Sequence, residues 1–432
     1  MKRLPRWLAR WLMTAAITTG IATPTLTHAT NGMFLIGQGT KARGAGGVAI
    51  AMPQDAISGA ANPATISFVG SRGDAGVDIF LPRAKSRLGK EEEDSRAKLF
   101  AMPAMGGVYK FNRKVSLGFA GVPAGGGATR YNTNLYNVSS GSNPDKTLGV
   151  NLAMLQMTPT IAIKANKQNS FGASVVIGVQ SFRAFGLEYF ETFTQSFADE
   201  KPVKNLTGNG NDWAYGAGVR IGWMGNYFNK RLSLGAVYTS KVYMTEFDDY
   251  KDLFAEQGDL DTPASAGFGI SYKFTPKLTI GLDITRTFYE DVAAIGNASA
   301  TTGPGSIYPN GDEKHRLGND DGLGFGWDDQ TVYKLGAIYD YSKDWSFRAG
   351  WNYGESPVDE KNGEVLMSIM APAVTQNHLT LGATYSPSKA MELSFSYVHA
   401  FKYEQDGPTY IGNTGKISMY QNSVGVSFGY KL

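Results

Sequence analysis

The last ten residues read SVGVSFGYKL, and two rows alternate along them. Val424, Val426, Phe428, Tyr430 and Leu432 form an apolar row, and Ser423, Gly425, Ser427, Gly429 and Lys431 form a small, polar one. Successive side chains of a strand point to opposite faces, so this segment has one greasy face and one small face. The pattern recurs up the chain. Leu278, Ile280, Leu282 and Ile284 oppose Thr279, Gly281, Asp283 and Thr285, and Met391, Leu393, Phe395 and Tyr397 oppose Glu392, Ser394 and Ser396. It predicts fourteen strands: 73–85, 100–111, 114–124, 149–165, 169–184, 212–225, 231–247, 262–274, 276–290, 328–341, 344–354, 374–386, 389–403 and 417–432.

The connections alternate as well. Short turns at 112–113, 166–168, 227–230, 275–276, 342–343 and 387–388 are interleaved with long polar segments at 86–99, 125–148, 185–211, 248–261, 291–327, 355–373 and 404–416. An even strand count with tight turns at one end and long loops at the other is the pattern of outer-membrane barrels. A soluble sandwich has no reason to sort its loops by length. The expectation is an all-β transmembrane antiparallel β-barrel of about fourteen strands over residues 71–432, in the outer membrane of a Gram-negative bacterium. Its surroundings would be outer-membrane lipid and lipopolysaccharide. Its aromatic-rich last strand would engage the barrel-assembly machinery.

Residues 1–29 read as a secretory signal peptide: Lys2, Arg3, Arg6 and Arg10, then an apolar core from Trp11 to Ala22, then Thr27-His28-Ala29. Its four basic residues leave with it, so 41 Lys and Arg become 37 against 38 Asp and Glu. The basic balance therefore belongs to export and implies no nucleic-acid partner. The chain has no cysteine, so no disulfide framework holds it. It has 53 Gly, 22 Tyr and 23 Phe, a glycine- and aromatic-rich composition that suits a membrane barrel.

Residues 30–70 precede the first strand and do not alternate. They are rich in Gly and Ala and apolar for a disordered tail. A fourteen-stranded barrel is too wide for its own side chains to fill, so this segment is expected inside the lumen as a plug.

Here the chain resembles the outer-membrane long-chain fatty acid and aromatic hydrocarbon transporters. The resemblance rests on Asn31-Gly32-Met33-Phe34, on the basic, glycine-rich stretch Lys41–Gly47, on Asp55, and on Asn62-Pro63-Ala64 just before the first strand. It implies that residues 30–70 are a hatch, with Asn31, Gly32, Phe34, Asn62, Pro63 and Ala64 serving transport. The family carries two acids before that triplet where this chain has Gln54-Asp55, and Pro53 is also unusual. A further family feature is an inward kink in the third strand. Here that strand contains Pro123, followed by Gly125, Gly126 and Gly127. Proline cannot donate to a ladder and glycines mark bends, so one reading is a side door in the wall. In the other, Pro123 ends the strand and the glycines belong to the outer loop.

The remaining constellations weigh less. Gly37-Gln38-Gly39-Thr40-Lys41-Ala42 fits the dinucleotide fingerprint, but no βαβ unit follows it. Acidic residues at Glu91–Asp94, Asp320-Asp321 and Asp328-Asp329 have two readings: bound calcium, which hard oxygen ligands suit, or solvated loop charge, which the lack of any calcium-loop order favours. No metal, cofactor or catalytic residue is therefore assigned. Residues 364–374, EVLMSIMAPAV, are an apolar patch in a long loop. They are either a surface capture groove, through Leu366, Met367, Ile369 and Met370, or a short helix packed on a neighbouring loop. Arg130 and Lys164 are candidates to pair with a carboxylate headgroup.

Taken with the resemblance, these features predict passive passage of a hydrophobic small molecule, by hatch rearrangement and lateral exit. The alternatives are a general porin for polar solutes and a barrel hydrolase using His399.

Overall fold

The computed structural model describes residues 30–136, 147–299, 313–358, 365–409 and 414–432. The signal-peptide reading of residues 1–29 lies outside them.

The wall consists of β1 (Arg72–Leu88), β2 (Phe100–Lys110), β3 (Val115–Ala128), β4 (Gly149–Lys164), β5 (Asn169–Phe185), β6 (Asp212–Tyr227) and β7 (Leu232–Thr239), then β8 (Ser265–Lys273), β9 (Leu278–Thr287), β10 (Gln330–Asp340), β11 (Trp345–Gly354), β12 (Asn377–Tyr385), β13 (Met391–Pro408) and β14 (Thr414–Lys431). Each is antiparallel to the next, and β14 returns to β1 in continuous register from Gly415↔Leu88 to Lys431↔Arg72. The fourteen strands therefore form a closed barrel, as the alternation predicts.

The predicted strand 231–247 is shorter than expected. β7 stops at Thr239 because Ser240 Oγ accepts from Val219 N–H at 3.0 Å, replacing a backbone partner, and only Tyr243–Met244 rejoins β6. The acidic run Glu91–Asp94 is not free loop. It forms a short strand against the end of β1, with Glu92 2.8 Å from Lys85. Among the described residues no group of three or more His, Cys, Asp or Glu could hold a metal.

The two rows of each strand face as the pattern requires. Val219, Ile221, Leu379, Leu381, Val424 and Phe428 are exposed, whereas Ser174, Ser394, Ser396 and Ser423 are buried. An apolar belt of this extent is stable only against hydrocarbon. Inside, the small row leaves room for residues 34–68. These residues contact β1, β2, β3, β4, β5, β6, β9, β12 and β13, and a segment touching opposite walls of a closed ring must lie within it.

Candidate functional site

The N-terminal segment is seated by short helical turns, each with its own cap. In Ala56–Ala60, Asp55 Oδ1 accepts from Ile57 and Ser58 N–H at 3.0 and 3.2 Å, while Ser58 Oγ takes the Asp55 N–H: a reciprocal capping box. Burial pushes the Asp55 carboxyl up, and nearby Asp74 adds to the shift. Burial also lowers the Lys41 ammonium from its usual range.

The turn Pro63–Ser67 starts on Asn62, whose Oδ1 accepts from Ala64 N–H at 3.0 Å. Pro63 occupies the first helical position, where its missing N–H is harmless. The Asn62 amide donates to the carbonyls of Ile50 (2.9 Å) and Trp223 (3.0 Å). One side chain thus joins the Pro63–Ser67 turn and the Ile50 stretch of the N-terminal segment to β6. Gly172 and Gly222 on the wall make this approach possible, because a Cβ on either would collide with the Asn62–Ala64 stretch.

Charges fix the rest. Ala49 and Ile50 N–H donate to Asp283 Oδ2 at 2.7 and 2.9 Å. Lys41, Arg72 and Lys431 surround Glu392 at 2.5, 2.6 and 2.5 Å. Arg43 sits 3.0 Å from Asp78, close enough for an ion pair but not aligned as a hydrogen bond. The sequence did hold a signal for these partners. Asp283 and Glu392 stand in the small, polar rows of their strands, the rows that face the lumen. What each would meet was not visible.

The wall itself is irregular at β3. Ser116 to Gly121 pair with β2, but from Val122 to Ala128 that partner is gone, although β4 continues alongside with a register slip between Pro123 and Gly125. Val122 to Gly126 are all buried, so the strand has left the two-faced wall. Gly125 bridges Phe34, and Gly126 N–H donates to the Met33 carbonyl at 2.9 Å. Pro123 therefore does not end the strand, and Gly125–Gly127 are not outer loop.

The seam between β2 and β3 is bounded below by the Met105↔Gly121 pair and above by Arg130 N–H on Ser95 Oγ at 3.1 Å. Leu35 of the N-terminal segment packs in it with Phe80, Phe100 and Met102. A cavity of about 160 Å³ lies alongside, lined by Asn31, Phe34, Leu35 and Ala124 together with Arg220, Asp283 and Lys334.

Above this, the outer loops enclose the largest apolar cluster, which includes Met33. Val365–Ser368 is a helical turn within it. Leu366, Met367, Ile369 and Met370 are buried, so the surface-groove reading is corrected: the segment is interior. Its carbonyls are fastened by Tyr136 Oη to Leu366 (2.7 Å), Tyr131 Oη to Ile369 (3.0 Å) and Thr129 Oγ1 to Met370 (2.6 Å).

The two basic candidates do not share a site. Arg130 is exposed beside the outer end of β4, whereas Lys164 is the last residue of β4, stacked 5.1 Å over Phe68 at the turn end. Strand rise puts them roughly 45 Å apart. His399 bonds Asn422 Oδ1 at 2.9 Å in the outward, lipid-facing row.

The family described as outer membrane protein transport protein (OMPP1/FadL/TodX) matches residues 29–410. Comparison with curated proteins finds no match. Among solved structures, the chain is similar to the Pseudomonas putida toluene transporter TodX, at 18% identity over 92% of this chain and 99% of that one, with a TM-score of 0.66. It is similar to the Ralstonia pickettii toluene transporter TbuX at 18% identity, 92% and 99% coverage and a TM-score of 0.65. A Pseudomonas aeruginosa FadL homologue gives 16%, 93% and 99%, with 0.66. At these identities the structural likeness establishes the fold.

Proposed function

The chain belongs to the outer membrane protein transport family, and from that premise we propose that it is a passive channel for hydrophobic small molecules, with residues 30–70 as its hatch. The observation that carries this reading is the seam in β3. A wall strand loses its neighbour over seven residues and is sealed instead by Met33, Phe34 and Leu35, which belong to no wall strand. A seal made by a separate segment can be withdrawn without breaking the barrel.

The route follows the apolar surface. A hydrophobic solute enters the aromatic cluster under the outer loops, where burial contributes about 25 cal/mol per Å². The hydroxyls of Tyr131 and Tyr136 are already bonded to backbone carbonyls, so what they turn to the cluster is aromatic ring, and a solute enters by parting the packed rings. Withdrawal of Asn31–Leu35 opens the seam, and the solute leaves sideways into the membrane. Exit into a watery pore would make it bear its hydration cost again. Asn62, Pro63 and Ala64 keep the hatch in register while its start moves. The charged flank at Arg220 and Lys334 suits a ligand with a polar end, and Arg130 and Lys164 are set aside. The toluene carried by TodX and TbuX is one instance of the class, and fatty acids are another.

A general porin needs an open lumen, and here the hatch is hydrogen-bonded to the wall on several sides. Reconstitution separates the two. Liposomes carrying the protein should swell no faster than empty ones in sugar, yet should speed transfer of a labelled hydrocarbon or fatty acid into the membrane. Rapid sugar permeation would sink the proposal.

A further inference from the structure

The start of the hatch is held from two sides. On one, Met33 carbonyl accepts from Gly126 N–H of β3 at 2.9 Å. On the other, Tyr289, in the outer connection between β9 and β10, reaches in. Its hydroxyl donates to the Asn31 carbonyl at 3.2 Å and accepts from Met33 N–H at 3.3 Å. Its ring stacks on Phe34, with centroids 5.9 Å apart and planes 19° from parallel, and meets Trp327 edge-on at 5.4 Å. Tyr289 is fully buried. Gly32 has φ of +58° and lies directly over the phenol, where a Cβ would collide with the hydroxyl oxygen. The chain Asn31-Gly32-Met33 is thus wrapped around one oxygen atom. The apolar cluster under the outer loops contains Tyr289 and Met33 together.

We propose that Tyr289 is the latch of the hatch: it ties the outer-loop apolar cluster to the Met33–Gly126 seal, so that a solute entering the cluster displaces the phenol, frees Asn31–Phe34 and unseals β3. This rests on the hatch reading above and names the residue that regulates it. Tyr289 acts through Met33 and Phe34, as a positioning residue. The coupling is short and continuous: one hydroxyl, one peptide unit, one wall strand. Two neutral hydrogen bonds plus a stacked ring make a hold that a ligand of ordinary affinity can break.

The absence of cysteine gives a clean test. Met33→Cys places a single thiol at the seal, and its labelling by a membrane-impermeant maleimide on intact cells reports how often the hatch start opens. Adding Tyr289→Phe, which keeps the ring and removes the hydroxyl, should speed labelling by roughly tenfold, the order expected from losing two neutral hydrogen bonds. Gly32→Ala, which pushes on the phenol from the other side, should do the same in the otherwise parental protein carrying Met33→Cys. Heat-modifiable migration of each variant checks that the barrel is folded. Labelling unchanged by both substitutions would overturn the latch, whatever happens to uptake. Faster labelling with hydrophobe uptake at background in every variant would keep the latch and remove the transport reading instead.

Discussion

Replacing Arg43 by Met should unseat the hatch while leaving the wall intact. Arg43 and Asp78 are each about 1% exposed and form an ion pair at 3.0 Å, and Arg43 Nε also donates to the Gly37 carbonyl at 3.0 Å. Removing one member leaves the other charge alone in the interior, which costs about 3–5 kcal/mol. Each 1.4 kcal/mol is tenfold, so the undocked population should rise by about two to nearly four decades. The backbone ladders that close the barrel are untouched, and heat-modifiable migration should persist. Planar-bilayer conductance is the assay, since a fourteen-stranded lumen without its hatch passes ions. Arg43→Met combined with Asp78→Leu should return conductance close to the parent, because replacing a whole buried pair by apolar groups is nearly neutral. If Arg43→Met conducts no more than the parent, the pair does not seat the hatch. If the double variant conducts as much as the single one, lost packing rather than an unpaired charge is the cause.

Asn62→Ala removes a cap worth about 1 kcal/mol and leaves the Ile50 and Trp223 carbonyls without their donor; protease resistance of residues 30–70 and hydrophobe uptake should both fall while the barrel still migrates as folded. Gly125→Val meets the Met33 carbonyl and the Phe34 ring, whereas a Cβ at Gly127 has open space; uptake should change several-fold in the first and stay near parental in the second, and equal effects would refute the seam geometry. Burial and neighbouring Asp261 push the Asp259 carboxyl in the outer loops up to about 7. The folded loop therefore favours its protonated form, and the stability this confers is present at low pH and lost as pH rises through about 7. Hydrogen-exchange protection of residues 246–261 should fall from pH 5 to pH 8, and Asp259→Asn should flatten the profile.

Much of the wall was legible in the sequence because period-two alternation is a local property. Rows such as Leu278–Ile284 and Met391–Tyr397 state which face meets hydrocarbon without reference to any other strand, and sorted loop lengths state which end is which. The same logic marked residues 30–70 as something other than wall, and put Asp283 and Glu392 in the rows opposite the apolar residues. It could not say what those charges meet. Asn62 finds Trp223, and Arg43 finds Asp78, only once the ring has closed around the segment. The buried position of Leu366–Met370, read equally well as a surface groove, was decided by tyrosines far away in the chain that take up its carbonyls. Tyr289 carried no signal at all: the alternation placed it at the end of the predicted strand 276–290, whereas the strand stops at Thr287 and leaves it in the outer connection. Its role exists because closure brings a loop 256 residues distant onto Met33, and such a coincidence is a property of the tertiary packing alone.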